Sequence, residues 1–191
     1  MNKQQQKSVL TPNSYVYLCR APITELPLAE KTAIQHQFAL QILRRAYSEV
    51  FNLNLDGLNL TTLKSGKPVC DRGYFSISHS GNYVCVAVSD APIGVDIQKY
   101  NGEKALDVAK KFFTEEEKRR LAESDNKIDC FYLTWCKKEA LWKSLDVQPP
   151  TIATVETTAA PFTTSVLTLD GEKYYLAATG GAKIIFADIT E

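Results

Sequence analysis

The sequence predicts an α+β fold, and three observations carry the prediction. One long segment repeats apolar residues at helical spacing, several short segments alternate or run continuously apolar like strands, and the two kinds are grouped rather than strictly alternating. The order is strand, helix, strands, helices, strands. With 191 residues, the chain is long enough for a sizeable core, as one domain or as two small halves sharing an interface.

Each element has its own justification. SYVYLC (14–19) reads as a short strand. A proline-marked loop leads to 28–51, where Ile34, Phe38, Ile42, Leu43, Tyr47 and Val50 recur with helical periodicity. LKSGKP (63–68) is a Gly/Pro loop carrying two lysines. FSIS (75–78) alternates like a half-buried strand, 79–82 supplies turn chemistry, and YVCVAV (83–88) reads as the buried partner, so a hairpin with His79 at its tip is expected. A second turn, SDAP (89–92), precedes IGVDI (93–97), a short strand with a carboxylate, Asp96, among apolar residues. A buried carboxylate needs a partner or a function. Two helices follow, one through 108–112 and one capped by Thr114 with Glu117 three positions on, the capping-box pattern. A further helix is expected over roughly 129–145, ended ahead of Pro149 and Pro150. From Thr163 onward, β-formers alternate with Asp170-Gly171 and Gly180-Gly181 turns, which predicts a β-meander. The halves would meet near residue 92, dividing the chain into 1–92 and 93–191.

The 22 basic and 22 acidic residues balance, so no overall field draws the protein to nucleic acid or to a membrane surface, and any anion site must be local. The five cysteines are odd in number, widely spaced and without a CxxC pair, which argues against a disulfide framework and against zinc. A reducing cytoplasm fits. The first ten residues, MNKQQQKSVL, lack a signal-peptide core and are expected to fray, and no window is long and apolar enough for a membrane span.

The chemistry concentrates in TWCKKEALWK (134–143). On a helical wheel Phe131, Trp135 and Trp142 share the apolar stripe, while Glu139 and Lys143 lie one turn apart on its flank. A lone Glu–Lys pair at this spacing is a common surface salt bridge worth a few tenths of a kcal/mol. Asp96 changes that reading: two carboxylates converging from a strand and a helix suit a hard cation such as Mg²⁺, which takes oxygen ligands, waters and substrate phosphates. A lysine one turn from such a carboxylate can neutralise or protonate a phosphate.

GVD (94–96) followed, after a long gap, by WxxKEAxxK (Trp135, Lys138, Glu139, Ala140, Lys143) resembles the signature of the surfactin-type 4'-phosphopantetheinyl transferases. GKP (66–68), SISHSG (76–81) and KFFTEEE (111–117) match as well, in the family's order, so the likeness runs from Lys64 to Lys143. The resemblance implies transfer of phosphopantetheine from coenzyme A to a serine of an apo acyl or peptidyl carrier protein. It also implies two similar α+β halves in one chain that works as a monomer, with coenzyme A and Mg²⁺ in the cleft between them. Carried over, Asp96 and Glu139 would hold Mg²⁺, Glu139 would help remove the serine proton, and Lys143 would stabilise or protonate the departing phosphate. His79 and Ser78 would meet the phosphates of coenzyme A, and Lys67 would line its nucleotide end. Lys138 is expected to support the site, and both tryptophans to be core.

Two positions depart from the pattern. Many relatives carry a third acidic residue where this chain has Gln98, an amide that can still offer a carbonyl oxygen to the metal shell. Relatives also clamp the 3'-phosphate of coenzyme A with basic residues near the N-terminus. The corresponding helix here offers Gln35, His36 and Gln37, which leaves Lys31, His36 and Arg44 as open alternatives.

Overall fold

The computed structural model describes residues 13–21, 23, 27–57, 59–63, 66–102 and 106–187. The N-terminal ten residues and Lys64 therefore lie outside the described residues. Strand β1 (Ser14–Arg20) leads into helix α1 (Leu28–Phe51). That helix ends where Asn52 turns left-handed at φ 54° and the N–H groups of Asn52 and Leu53 reach back to the carbonyls of Ser48 and Tyr47. Asparagine tolerates that conformation better than most residues with a Cβ.

Two short strands, β2 (Leu60–Thr62) and β3 (Pro68–Cys70), pair across the Gly/Pro loop, a small hairpin that its composition does not announce. Strands β4 (Tyr74–Ser80) and β5 (Tyr83–Ser89) form the expected hairpin. His79 is not at its tip: it pairs with Val84 inside the strand, and Gly81-Asn82 makes the turn. The glycine sits at φ 55°, a conformation that favours it over residues with a side chain.

Strand β6 (Val95–Lys99), helices α2 (Leu106–Phe112), α3 (Glu115–Glu123) and α4 (Lys127–Ser144), and strands β7 (Phe162–Leu169), β8 (Glu172–Thr179) and β9 (Lys183–Phe186) complete the order. Both halves of the Thr114/Glu117 capping box form. The C-terminal strands are not a meander. β7 and β8 are a hairpin, but the far edge of β8 pairs with β6, and β9 crosses over to run parallel to β1. A strand from the later part of the chain thus joins the first sheet.

The sheets, in order β4-β5-β1-β9 and β6-β8-β7, pack face to face. Period-2 alternation distributes the side chains. In β5, Val84, Val86 and Val88 face α1, where Ile42, Leu43 and Tyr47 are fully buried, while Tyr83, Cys85 and Ala87 meet Val95, Ile97 and Leu176 of the second sheet. Facing cores on both sides explain why every residue of β5 is buried. Tyr175 and Ala177 of β8 point the other way, onto Phe131, Cys136 and Ala140 of α4. The layers therefore run α1, first sheet, second sheet, α2–α4. No disulfide joins any of the five cysteines, and no helix among the described residues is long and apolar enough to cross a membrane.

Gly94 explains how α4 comes so close to β6. A Cβ there would lie 1.7 Å from the Ala140 carbonyl oxygen and 2.8 Å from the Ser144 nitrogen, backbone atoms that cannot swing aside. Gly94→Ala is expected to cost about 3 kcal/mol or more, beyond ordinary overpacking, because strand and helix must separate. Denaturant unfolding within 1 kcal/mol of the parent would refute the close approach.

Candidate functional site

That close approach brings β4, β6 and α4 together around one carboxylate. Asp96 is 2% exposed. Its Oδ1 accepts hydrogen bonds from the Ser78 hydroxyl at 2.7 Å and the Lys143 ammonium at 2.7 Å, and its Oδ2 accepts one from the Gln98 amide at 3.0 Å. Lys143 also donates to Ser78 Oγ at 3.2 Å and to the Val95 carbonyl at 3.4 Å. This answers why an apolar strand carries an aspartate: both oxygens are satisfied and its charge is paired. Desolvation, the largest influence on Lys143, pulls its pKa down, but the charge and hydrogen bond of Asp96, with Glu139 behind them, outweigh it and hold the ammonium above the usual lysine value.

Glu139 sits one turn before Lys143, half-buried, and among the described residues it makes no hydrogen bond or ion pair. Burial raises its carboxyl pKa first and the charge of Asp96 raises it further, against the opposing pull of Lys143. The two carboxylates feel each other's charge, and Glu139 is the one without a hydrogen-bond partner, so a divalent cation between them would relieve the repulsion. Among the described residues no cluster of three or more His, Cys, Asp or Glu side chains could hold a metal, so a cation here would have these two carboxylates and the Gln98 amide. Gln98 now turns its NH₂ to Asp96, and its carboxamide would have to rotate to present oxygen.

His79 is exposed on β4. Partial desolvation, then the positive charge of Lys143, outweigh the pull of Asp96 and, with a smaller contribution from His36, lower its imidazole pKa, which favours the neutral ring at pH 7. Lys67 reaches from the β2–β3 loop toward the end of α4, donating to the Leu145 carbonyl at 3.4 Å and pairing with Asp146 at 3.8 Å. Burial lowers its pKa and Asp146 opposes the shift. Two adjoining pockets share Lys67, Pro68 and Phe75. One, of about 240 Å³, is also lined by Ser76, Trp142, Lys143 and Gln148; the other, of about 360 Å³, reaches Tyr74, Ile93 and Asp146. Trp142, expected to be core, is instead a half-buried pocket wall outside the core clusters, with its buried indole N–H unpartnered. Trp135 packs edge-on against Phe112, as core.

The structure thus gathers Ser78, Asp96, Gln98 and Lys143 into one hydrogen-bonded group, with Glu139 and His79 in electrostatic range and Lys67 at the neighbouring pocket. Of the N-terminal alternatives, His36 is near enough to His79 to influence it, whereas Arg44 pairs with Asp56 at 3.0 Å; on the same helix Gln35, not one of those alternatives, holds the Gly81 carbonyl at 2.9 Å.

Sequence reasoning reached Lys138 but not its partner. The ammonium is wholly buried, donating to Glu117 Oε2 at 2.8 Å and to the Val155 carbonyl. Glu117 offered its capping-box spacing and its place in KFFTEEE as signals, but its pairing with Lys138 depends on α3 packing against α4.

Residues 92–184 match the family model described as the 4'-phosphopantetheinyl transferase superfamily. The chain is 34% identical over 107 residues to 4'-phosphopantetheinyl transferase Sfp of Bacillus subtilis (strain 168), a stretch covering 53% of this chain and 47% of that protein. It is 32% identical over 109 residues to 4'-phosphopantetheinyl transferase psf-1 of Bacillus pumilus, covering 53% and 46%. It is 29% identical over 107 residues to 4'-phosphopantetheinyl transferase gsp of Aneurinibacillus migulanus, covering 54% and 45%. The match thus spans about half the length of these curated relatives.

Proposed function

We propose, from the match of residues 92–184 to the 4'-phosphopantetheinyl transferase superfamily model and the likeness to the Bacillus subtilis relatives, that this chain is a surfactin-type member of that superfamily and transfers 4'-phosphopantetheine from coenzyme A to a serine of an apo acyl or peptidyl carrier protein. The serine oxygen forms the new bond to phosphorus, the pyrophosphate bridge breaks, and adenosine 3',5'-bisphosphate leaves. The observation that carries the reading is the paired Asp96 and Lys143 beside the unpartnered Glu139, next to a pocket that Lys67 and Lys143 line.

Asp96 and Glu139, with the Gln98 carboxamide oxygen, would hold Mg²⁺, whose contribution would be to neutralise and align the pyrophosphate. Lys143, kept charged by its neighbours, is suited to stabilise the departing phosphate, more than to give up its proton. Glu139 is also assigned to help remove the proton of the serine hydroxyl. Ser78 is buried and committed to Asp96 and Lys143, so its part is to steady them beneath the phosphates. His79 is assigned to those phosphates and Lys67 to the nucleotide end. The two helix-backed sheets are read as the two halves of a monomeric cytoplasmic enzyme with the cleft at their shared corner. Carriers of fatty-acid, polyketide and peptide assembly all present such a serine, and surface contacts choose among them.

The test is intact mass spectrometry of several apo carrier proteins incubated with this protein and coenzyme A, with and without Mg²⁺. A gain of one phosphopantetheine that disappears without metal is expected. Gln98 motivates a second reading, a descendant that binds carrier or coenzyme A without reacting, since it removes a carboxylate from the shell and now donates to Asp96. Carrier binding with no mass gain at any Mg²⁺ concentration would favour it. Under the catalytic reading, Gln98→Glu should lower the half-activating Mg²⁺ concentration on the order of tenfold. Superimposable activation curves would count against Gln98 as part of the shell.

A further inference from the structure

Strand β6 is an edge strand. Its inner edge pairs with β8, and just past its end the Tyr100 N–H donates to the Lys173 carbonyl. Among the described residues no strand pairs with its outer edge, yet the outward N–H groups of Val95, Ile97 and Lys99 are satisfied. Val95 donates to Ser76 Oγ at 3.1 Å, Ile97 to Ser78 Oγ at 3.4 Å, and Lys99 to Ser80 Oγ at 2.8 Å. Every one of these bonds spans 19 residues, so β4 and β6 advance together without a slip. The period of a strand places the three serines on one face of β4, while on the other face Phe75 and Ile77 pack into the core beneath α1 and His79 is exposed. Hydroxyls here stand in for the carbonyls of a missing strand.

We propose that Ser76 and Ser80 are positioning residues: the serine ladder sets the register of β6 against the first sheet and thereby delivers Asp96 to Ser78 and Lys143. Resting on the transfer reading for its catalytic consequence, this gives SISHS a role that contact with coenzyme A would not require of its outer serines. The Ser76 and Ser80 hydroxyls hydrogen-bond to the backbone of β6, flanking the one ladder serine that also bonds Asp96, and Ser76 also lines the smaller pocket. A one-residue slip would turn Asp96 to the opposite face, and even a partial shift would loosen its 2.7 Å contacts. Phosphoryl transfer, which depends on alignment, is sensitive to such displacement.

The experiment compares Ser80→Ala and Ser80→Thr, the latter retaining the hydroxyl, by residue-resolved amide hydrogen exchange, by the Mg²⁺-induced shift in melting temperature with no other ligand, and by steady-state transfer. Ser80→Ala should speed exchange of the Lys99 N–H on the order of tenfold, reduce the Mg²⁺-induced shift, and lower kcat on the order of tenfold with KM for coenzyme A within about twofold. Ser80→Thr should restore all three. Ser76→Ala, read at the Val95 N–H, serves the same purpose if Ser80→Ala does not fold. Unchanged exchange at Lys99 would overturn the proposal, as would faster exchange with both the Mg²⁺ shift and kcat intact. If the parent protein transfers nothing, the functional reading falls, while the exchange and Mg²⁺ arms still decide the ladder.

Discussion

Glu139→Gln is expected to abolish transfer and, in the same protein without metal, to raise the melting temperature. Both effects have one cause. The Glu139 carboxylate is half-buried and, among the described residues, unpaired by any hydrogen bond or salt bridge, with the charge of Asp96 nearby. Burial first and Asp96 second raise its pKa above the ordinary glutamate value. A group whose folded-state pKa lies above its unfolded one contributes stability that is fully present below the unfolded pKa and is lost as pH rises through the folded pKa. At neutral pH the charged Glu139 is therefore a liability to the fold, kept for what the charge does. Glutamine has the same shape without the charge. The variant should gain on the order of 1 kcal/mol at neutral pH, or about 2–4 °C in melting temperature for a chain of this size. The gain should shrink as pH falls through the window just above the ordinary glutamate pKa. Melting curves from pH 4 to 8, paired with the mass assay, check this. A variant that melts below the parent at pH 7, or that still transfers, would remove Glu139 from the site.

The largest stability effect is expected from Lys138, a residue that touches no pocket described above. Side-chain exposure is 0% for Lys138 and 1% for Glu117. Beyond the ammonium, Glu117 accepts hydrogen bonds from the Thr114 N–H at 2.9 Å, the Thr157 N–H at 3.2 Å and the Thr157 hydroxyl at 2.7 Å. One buried pair thus ties α3, α4 and the segment after α4 together. Lys138→Ala leaves the carboxylate buried without its counter-charge and should cost about 3–5 kcal/mol, a large share of a typical domain's stability. Adding Glu117→Gln to Lys138→Met removes both charges and keeps one acceptor oxygen, which can serve Thr157 or Thr114 but not both, and should recover part of that loss. Equilibrium urea unfolding measures both. A cost below about 1 kcal/mol for Lys138→Ala would show that the pair is not holding α4 in place.

Both predictions concern neighbours on α4, and they divide differently between sequence and structure. Helix α1 was legible over its whole length because its six apolar positions repeat at helical spacing, and the α3 cap because Thr114 and Glu117 are three apart. Asp96, Glu139 and Lys143 were legible as chemistry because a carboxylate in an apolar strand and a carboxylate–ammonium pair on a helix flank each need a reason. Trp142 as a pocket wall and the placement of His79 within β4 were not, since both depend on where a neighbouring element ends.

The sequence alone determined the local elements, the kind of chemistry and its key residues, because periodicity, capping and turn residues act between near neighbours. Tertiary structure decided that β9 joins β1, that α4 rests on Gly94, that Lys138 meets Glu117, and that three serines meet β6. In each of these, groups far apart in the chain must complete one another's hydrogen bonds or fill one another's space, and only the packed fold shows which ones do.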